Sequence, residues 1–91
     1  MATMRFEFRF ALKEANDAFL ALNEAFTPSI IGIDVYGNIM IELRAQVSIK
    51  EDKKQFIQTA KSMVTKGVEF DSYYHKGIRK YCITLTWRIE K

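Results

Sequence analysis

The chain contains little of what disulfide-stabilised proteins and many enzymes need. Its 91 residues include one cysteine, one histidine, one tryptophan, one proline and four glycines. The single cysteine, Cys82, cannot form a disulfide within the chain, which fits a reducing, intracellular setting. No glycine-rich phosphate loop, GxSxG motif or HExxH motif occurs in the sequence. We therefore expect a protein that is not an enzyme.

Long hydrophobic runs are absent as well. The first ten residues, MATMRFEFRF, are interrupted by Arg5, Glu7 and Arg9, so neither a signal peptide nor a membrane span is expected there. Hydrophobic residues make up 48% of the chain and charged residues 27%, which is the balance of one small globular domain. We expect a single domain over residues 1–91, located in the cytoplasm and not in a membrane.

The net charge of +3 is unevenly distributed along the chain. Residues 1–49 carry four Lys or Arg against six Asp or Glu, whereas residues 50–91 carry ten against five. A basic surface in the second half would favour a nucleic acid or an acidic protein as partner. Many soluble basic proteins bind neither, so this alternative stays open.

The hydrophobic pattern changes its period several times. Strict alternation predicts strands over residues 4–10, 31–36, 39–49, 68–74 and 81–89, because successive side chains of a strand point to opposite faces. Spacings of three and four predict a helix from Leu12 to Phe26 and a second helix that starts at a capping box, Ser48 to Glu51. The predicted order is β-α-β-β-α-β-β.

This order predicts an α+β fold of the ferredoxin-like, split βαβ type. It would form a five-stranded antiparallel sheet in the spatial order 5-4-1-3-2, with two helices covering one face. Alternation along the first predicted strand places the side chains of Phe6, Phe8 and Phe10 on the face that the helices cover. On the open face, carboxylates would alternate with arginines and lysines, a pattern typical of a solvated sheet surface.

Two residues that each occur once in the chain, His75 and Cys82, are candidates for catalytic groups. His75 is predicted at a hairpin tip, where a general base would lack a positioned partner and shelter. Cys82 has no second cysteine for a zinc site or a redox pair, and it is predicted to point outward on the open face. We expect no catalytic residue, no metal and no cofactor.

The strongest candidate for a contact surface is the stretch YYHKGIRKYCITLTW, residues 73–87. It combines cations that can neutralise phosphates with aromatic rings that can stack on bases, and tyrosine and arginine are also enriched at protein–protein hot spots. The candidate partner-binding residues are Tyr73, Tyr74, His75, Lys76, Arg79, Lys80 and Tyr81 in the hairpin and Lys50, Lys53, Lys54 and Lys61 in the second helix. A charged hairpin that only protects a sheet edge remains the alternative.

RNA-recognition modules share the split βαβ layout and stack bases on aromatic residues of the open sheet face. In this chain, parity assigns the phenylalanines of the predicted first strand to the covered face. The third strand offers Met40, Glu42 and Arg44 outward, where such modules have aromatic residues. Sequence-specific RNA reading through the sheet face is therefore not expected.

A single compact α/β domain of this size without a catalytic motif resembles the small phage-encoded inhibitors of host defence, among them anti-CRISPR proteins. The resemblance covers the whole chain in size and layout, and no motif carries it. It implies a non-enzymatic protein that docks stoichiometrically on a protein or ribonucleoprotein partner, such as a CRISPR effector complex, and blocks target DNA. The alternatives are direct binding of RNA or DNA through the hairpin and second helix, and self-association through the open sheet face or a strand edge.

Overall fold

The computed structural model describes residues 5–26 and 30–90, which form two helices and four strands. In chain order these are α1 (Phe8–Ala25), β1 (Ile30–Tyr36), β2 (Met40–Val47), α2 (Lys50–Met63), β3 (Glu69–His75) and β4 (Lys80–Arg88). The strands form one antiparallel sheet in the order β1-β2-β4-β3. The α+β class with two helices and an antiparallel sheet is confirmed. The ferredoxin-like, five-stranded arrangement in the order 5-4-1-3-2 is wrong.

The segment predicted as the first strand, residues 4–10, does not form a strand in the described residues, and residues 8–10 belong to helix α1. Helix α1 begins at Phe8, because Phe8 also lies on the buried stripe that continues at Ala11 and Ala15. Within the described residues of this segment, 5–10, Phe6 alone makes a β-bridge, which pairs it with Ile89. The Phe6 N–H donates to the Arg88 carbonyl at 2.8 Å, and the Phe6 carbonyl accepts from the Glu90 N–H at 2.7 Å. Met4 lies outside the described residues.

The N-terminal phenylalanines consequently do not share one face of a strand. Phe6 is buried, Phe8 is half-buried, and Phe10 is 46% exposed on α1, with its ring stacked on that of Phe6 at a centroid separation of 6.0 Å. None of the three lies on the open face of the sheet, so they offer no stacking platform there.

The last strand of the chain, β4, corresponds to the predicted fifth strand. It was predicted at the edge of the sheet but lies in the centre, between β2 and β3. Its open-face residues Cys82, Thr84 and Thr86 carry no charge, and Cys82 and Thr86 are buried although no helix covers that face. A strand flanked on both sides needs side chains that tolerate burial on both faces. The uncharged run in β4 was the sequence signal for a central position.

Both helices pack on one face of the sheet and enclose the core. Small side chains, Ala11, Ala15 and Ala18, let the α1 backbone lie close to the strands, and α2 contributes Phe56. The largest side chains fully buried in this layer are Trp87, Phe56, Leu22, Ile41, Leu43, Ile83 and Leu85.

The connections on either side of β2 are short. The turn between β1 and β2 spans residues 37–39, and Gly37 has a φ of +53°, which favours glycine. The capping box at α2 is not formed: the N-cap residue is Ile49, and no side-chain hydrogen bond caps the helix.

A half-buried carboxylate on α1 connects three separate parts of the chain. Glu14 Oε1 accepts hydrogen bonds from the backbone N–H of Thr65 at 2.8 Å and from Trp87 Nε1 at 3.1 Å, and Oε2 accepts from the Thr65 hydroxyl at 2.7 Å. The indole N–H of a fully buried tryptophan needs such a partner. Glu14 thereby fixes α1 against both β4 and the loop that leads from α2 to β3.

We expect Glu14→Leu to lower the free energy of unfolding by about 2–4 kcal/mol, because it removes three hydrogen bonds and leaves buried donors unpaired. Glu14→Gln should cost less than about 1 kcal/mol, since an amide oxygen can still accept from Thr65 and Trp87. Chemical denaturation of the three proteins measures the difference. Equal losses in both variants would contradict a role based on acceptor oxygens.

Candidate functional site

The hairpin of β3 and β4 ends slightly beyond the rest of the sheet. The two strands pair as far as His75 opposite Lys80, and residues 76–79 form the turn. The pairing of β2 with β4 stops one position earlier, at Val47 opposite Tyr81. The turn and the last pair of the hairpin therefore project past the neighbouring strand, over a short distance.

The start of α2 lies at the same end of the sheet as this turn. Only two residues separate the end of β2 at Val47 from the beginning of α2 at Lys50. Lys53 Nζ lies 5.2 Å from the ring centroid of Tyr81, and the Tyr81 ring lies 4.9 Å from that of Tyr74. These contacts join the helix to the hairpin.

We call this end of the molecule the tip surface. It comprises Ile49, Lys50, Lys53, Lys54, Tyr73, Tyr74, His75, Lys76, Ile78, Arg79, Lys80 and Tyr81. The fold thus brings most of the candidate residues from the hairpin and from the start of the second helix to one end of the molecule. Tyr73 and His75 lie on the open face of the sheet there, and Tyr74 and Tyr81 lie on the helix-covered face.

Lys61 is the candidate residue that does not belong to the tip surface. It follows Lys53 by eight residues, which corresponds to about 12 Å along the helix. Its Nζ lies 5.6 Å from the ring centroid of Phe70, on the flank of β3.

Two isoleucines of the tip surface were not among the candidates. Ile49 is 59% exposed although alternation predicted it to point inward, and Ile78 is 45% exposed in the turn. An isoleucine between cations in the turn sequence KGIRK was the signal for Ile78, because apolar side chains are unusual in exposed turns.

His75 makes a local contact that shapes the turn. Its Nδ1 accepts a hydrogen bond of 3.4 Å from the backbone N–H of Ile78. A Cβ atom on Gly77 would lie 2.9 Å from His75 Cε1, so a larger residue there would displace the exposed imidazole ring. The His75 side chain is exposed at this end of the molecule.

Arg79 has a backbone conformation that is unfavourable for its residue type. Its φ is +55°, and it is the single non-glycine residue with positive φ in the described part of the chain. An L-residue in the left-handed region costs roughly 1–2 kcal/mol relative to the usual conformations, and glycine avoids this cost. An exposed arginine at such a position is a candidate functional residue, because strain is often retained where function requires it.

The open sheet face next to the tip contains a shallow hollow of about 540 Å³, floored by Gly32 and bordered by Arg44, Tyr73, His75 and Cys82. A hydrogen bond between the side chains of Tyr73 and Cys82 raises the pKa of the Tyr73 hydroxyl. Cys82 points to the open face as predicted, but it is buried there between the neighbouring strands, which limits the access of a reactant to its thiol.

The rest of the open face carries ion pairs between neighbouring strands. Arg44 contacts Asp34 at 3.3 Å and Arg88 contacts Glu69 at 3.0 Å, and these hydrogen-bonded carboxylates raise the pKa of each guanidinium. Exposed pairs of this kind contribute little to stability.

The described residues show no other chemical centre. They contain no group of three or more His, Cys, Asp or Glu side chains that could hold a metal ion. Within the same residues, no helix is long and apolar enough to cross a membrane.

Comparison of the chain with protein-family models, with curated proteins and with solved structures finds no match. The tip surface is therefore the candidate functional site on the strength of its own geometry and chemistry.

We expect Arg79→Gly to raise the free energy of unfolding by about 0.5–1 kcal/mol, because glycine adopts the left-handed conformation without strain. Arg79→Ala is the matched control: it also removes the guanidinium but keeps a Cβ, and should give no such gain. Thermal or chemical denaturation provides the measurement. A loss of stability in the glycine variant would show that the arginine side chain stabilises the turn.

Proposed function

We propose that this protein is a non-enzymatic binding module that docks stoichiometrically on a protein or ribonucleoprotein partner through the tip surface. The observation that carries this proposal is the contact of Lys53 with Tyr81 and of Tyr81 with Tyr74. It joins Lys53 at the start of α2 to the strands of the β3–β4 hairpin, close to its turn.

The composition of the tip surface suits a partner that is both anionic and partly apolar. The tip surface contains six cations. Two acidic residues, Glu51 and Asp52, lie between Lys50 and Lys53 in the first turn of α2 and offset part of this charge. Exposed tyrosines and isoleucines add apolar contact area, which a purely electrostatic interaction with phosphates would not require. This mixture favours a protein or ribonucleoprotein surface over a bare phosphate backbone.

The proposed mechanism is occlusion. The module would cover the partner's own binding surface, with Arg79 and Lys76 on its acidic or phosphate groups and Tyr73 and Ile78 on neighbouring apolar area. A CRISPR effector complex is the candidate partner that the resemblance to phage inhibitors suggests, and blocking of its target DNA would be the effect. The proposed location is the cytoplasm, where such complexes act.

Direct binding of nucleic acid is the second candidate function. It is favoured by the exposed rings of Tyr73 and Tyr74 next to the cations of the turn, since stacking rings and cations form sequence-tolerant sites on single strands. In this case the protein would bind RNA or DNA without a protein partner.

The double variant Lys76→Glu and Arg79→Glu tests the tip surface. We expect it to lose a partner that wild-type protein captures from host cell extract, identified by mass spectrometry, because two attractive charges become repulsive. Lys61→Glu is the matched control, since this lysine lies away from the tip and should retain capture. Retention by the double variant, or equal loss in the Lys61→Glu control, would contradict the assignment.

Salt dependence separates the two candidate functions. Direct binding of a labelled single-stranded RNA through about three phosphate contacts should weaken roughly 20-fold between 50 and 200 mM salt. Fluorescence anisotropy with a 20-nucleotide RNA and a matching DNA would measure this. We expect weak binding of both probes, together with capture of the partner that survives nuclease treatment of the extract. Tight, steeply salt-dependent binding of the probes would instead support the second candidate function.

A further inference from the structure

The two edges of the sheet differ in how they are protected. The β3 edge presents Glu69, Asp71 and His75 on its open face. The β1 edge carries one charged residue, Asp34, whose carboxylate is already paired with Arg44 at 3.3 Å. An edge strand with few charged side chains can form backbone hydrogen bonds with another strand. β1 is therefore the edge at which a further strand is more easily added.

Apolar surface continues from β1 onto the neighbouring helix. On the helix-covered side of the sheet, Ile31 and Ile33 are only half-buried, and Val35 is 48% exposed. Leu12 of α1 is exposed next to them. A groove of about 440 Å³ between helix and strand is lined by Arg9, Leu12, Lys13, Asn16 and Ile33. Lys13 is paired with Asp17, and the long stem of Arg9 can cover apolar surface while its charge stays in water.

We propose that β1 binds β1 of a second copy of this chain, in antiparallel pairing about a two-fold axis at Ile33. The apolar side chains of the two copies point to the same face of the joined sheet only if each odd-numbered residue pairs with an odd-numbered residue. Among such registers, the one centred on Ile33 pairs the whole of β1, with Ile31 opposite Val35 and Gly32 opposite Asp34. A register centred on Asp34 would instead place two carboxylates face to face.

The position of α1 fits this arrangement. The helix packs against β1 as well as β2, so it lies close to the β1 edge. In a two-fold pair, the two α1 helices would cover the same face of the joined sheet, one on each side of the axis. Leu12, which lines the groove beside Ile33, would lie near the second copy.

The dimer would also determine how the tip surfaces are displayed. Strand β1 begins at the tip end of the sheet, because Ile30 pairs with Gln46, which pairs with Cys82, next to Tyr73. Antiparallel pairing therefore directs the two tips to opposite ends of an eight-stranded sheet, where they would contact separate partner molecules. This consequence rests on the proposed function, whereas the pairing itself is tested without any partner.

Static light scattering over a micromolar to millimolar concentration series tests the pairing. We expect wild-type protein to approach twice the 10.6 kDa mass of one chain. Val35→Lys should raise the dimer dissociation constant about 10-fold or more, because an unpaired ammonium group would be desolvated opposite Ile31. Tyr74→Lys is the matched control: it has similar exposure and faces the same side of the sheet on the other edge. It should remain dimeric. A monomer at all concentrations, or loss of the dimer in both variants or in neither, would overturn the proposal.

Cross-linking provides a second measurement that does not depend on the lysine variant folding. Residues opposite each other across an antiparallel pair have Cα atoms about 4.5–5.5 Å apart, which a disulfide can span. In a Cys82→Ala background, Ile33→Cys should form a disulfide dimer on mild oxidation much faster than Ser72→Cys, which lies at the middle of β3. Equal rates, or faster cross-linking at residue 72, would assign the contact elsewhere and overturn the proposal.

Discussion

The hydrogen bonds of Glu14 hold together parts of the chain that are distant in sequence. One carboxylate on α1 accepts from Trp87 of the central strand and from both the backbone and the hydroxyl of Thr65. Burial of a large indole and of a loop N–H would be unfavourable without these acceptors. The network therefore fixes the rotation of α1 on the sheet, and with it which side of α1 faces the core and which faces the β1 edge.

The tip surface depends on a second constraint, the short connection between β2 and α2. Ser48 and Ile49 are the only residues between the two elements, so the helix must start where the strand ends. The antiparallel pairing of β2 with β4 places the β3–β4 turn at the same end. This connectivity brings the basic start of α2 and the aromatic β3–β4 hairpin to the same end of the molecule. The positive φ of Arg79 distinguishes the β3–β4 turn from an ordinary charged turn.

The two sheet edges place the two proposed interactions on different parts of the molecule. β3 ends in the tip surface and carries charges along its open face, which discourages further strand pairing. β1 lies at the opposite edge, next to exposed apolar side chains of α1. A partner at the tip and a second copy at β1 could therefore bind at the same time, because neither interaction covers the residues of the other.

The sequence alone determined the local elements that depend on spacing within a short segment. Alternation predicted β1, β2, β3 and β4 with the correct inward faces, apart from terminal residues such as Ile39 and Ile49, and helical spacing predicted α1 and α2. Only the tertiary structure decided that residues 8–10 join α1, because Phe8 fits both the strand period and the helix period and packing selects between them. Tertiary structure also decided the central position of β4 and the meeting of Lys53 with Tyr81, since strand order and contacts between distant segments depend on pairing energies that no local pattern contains.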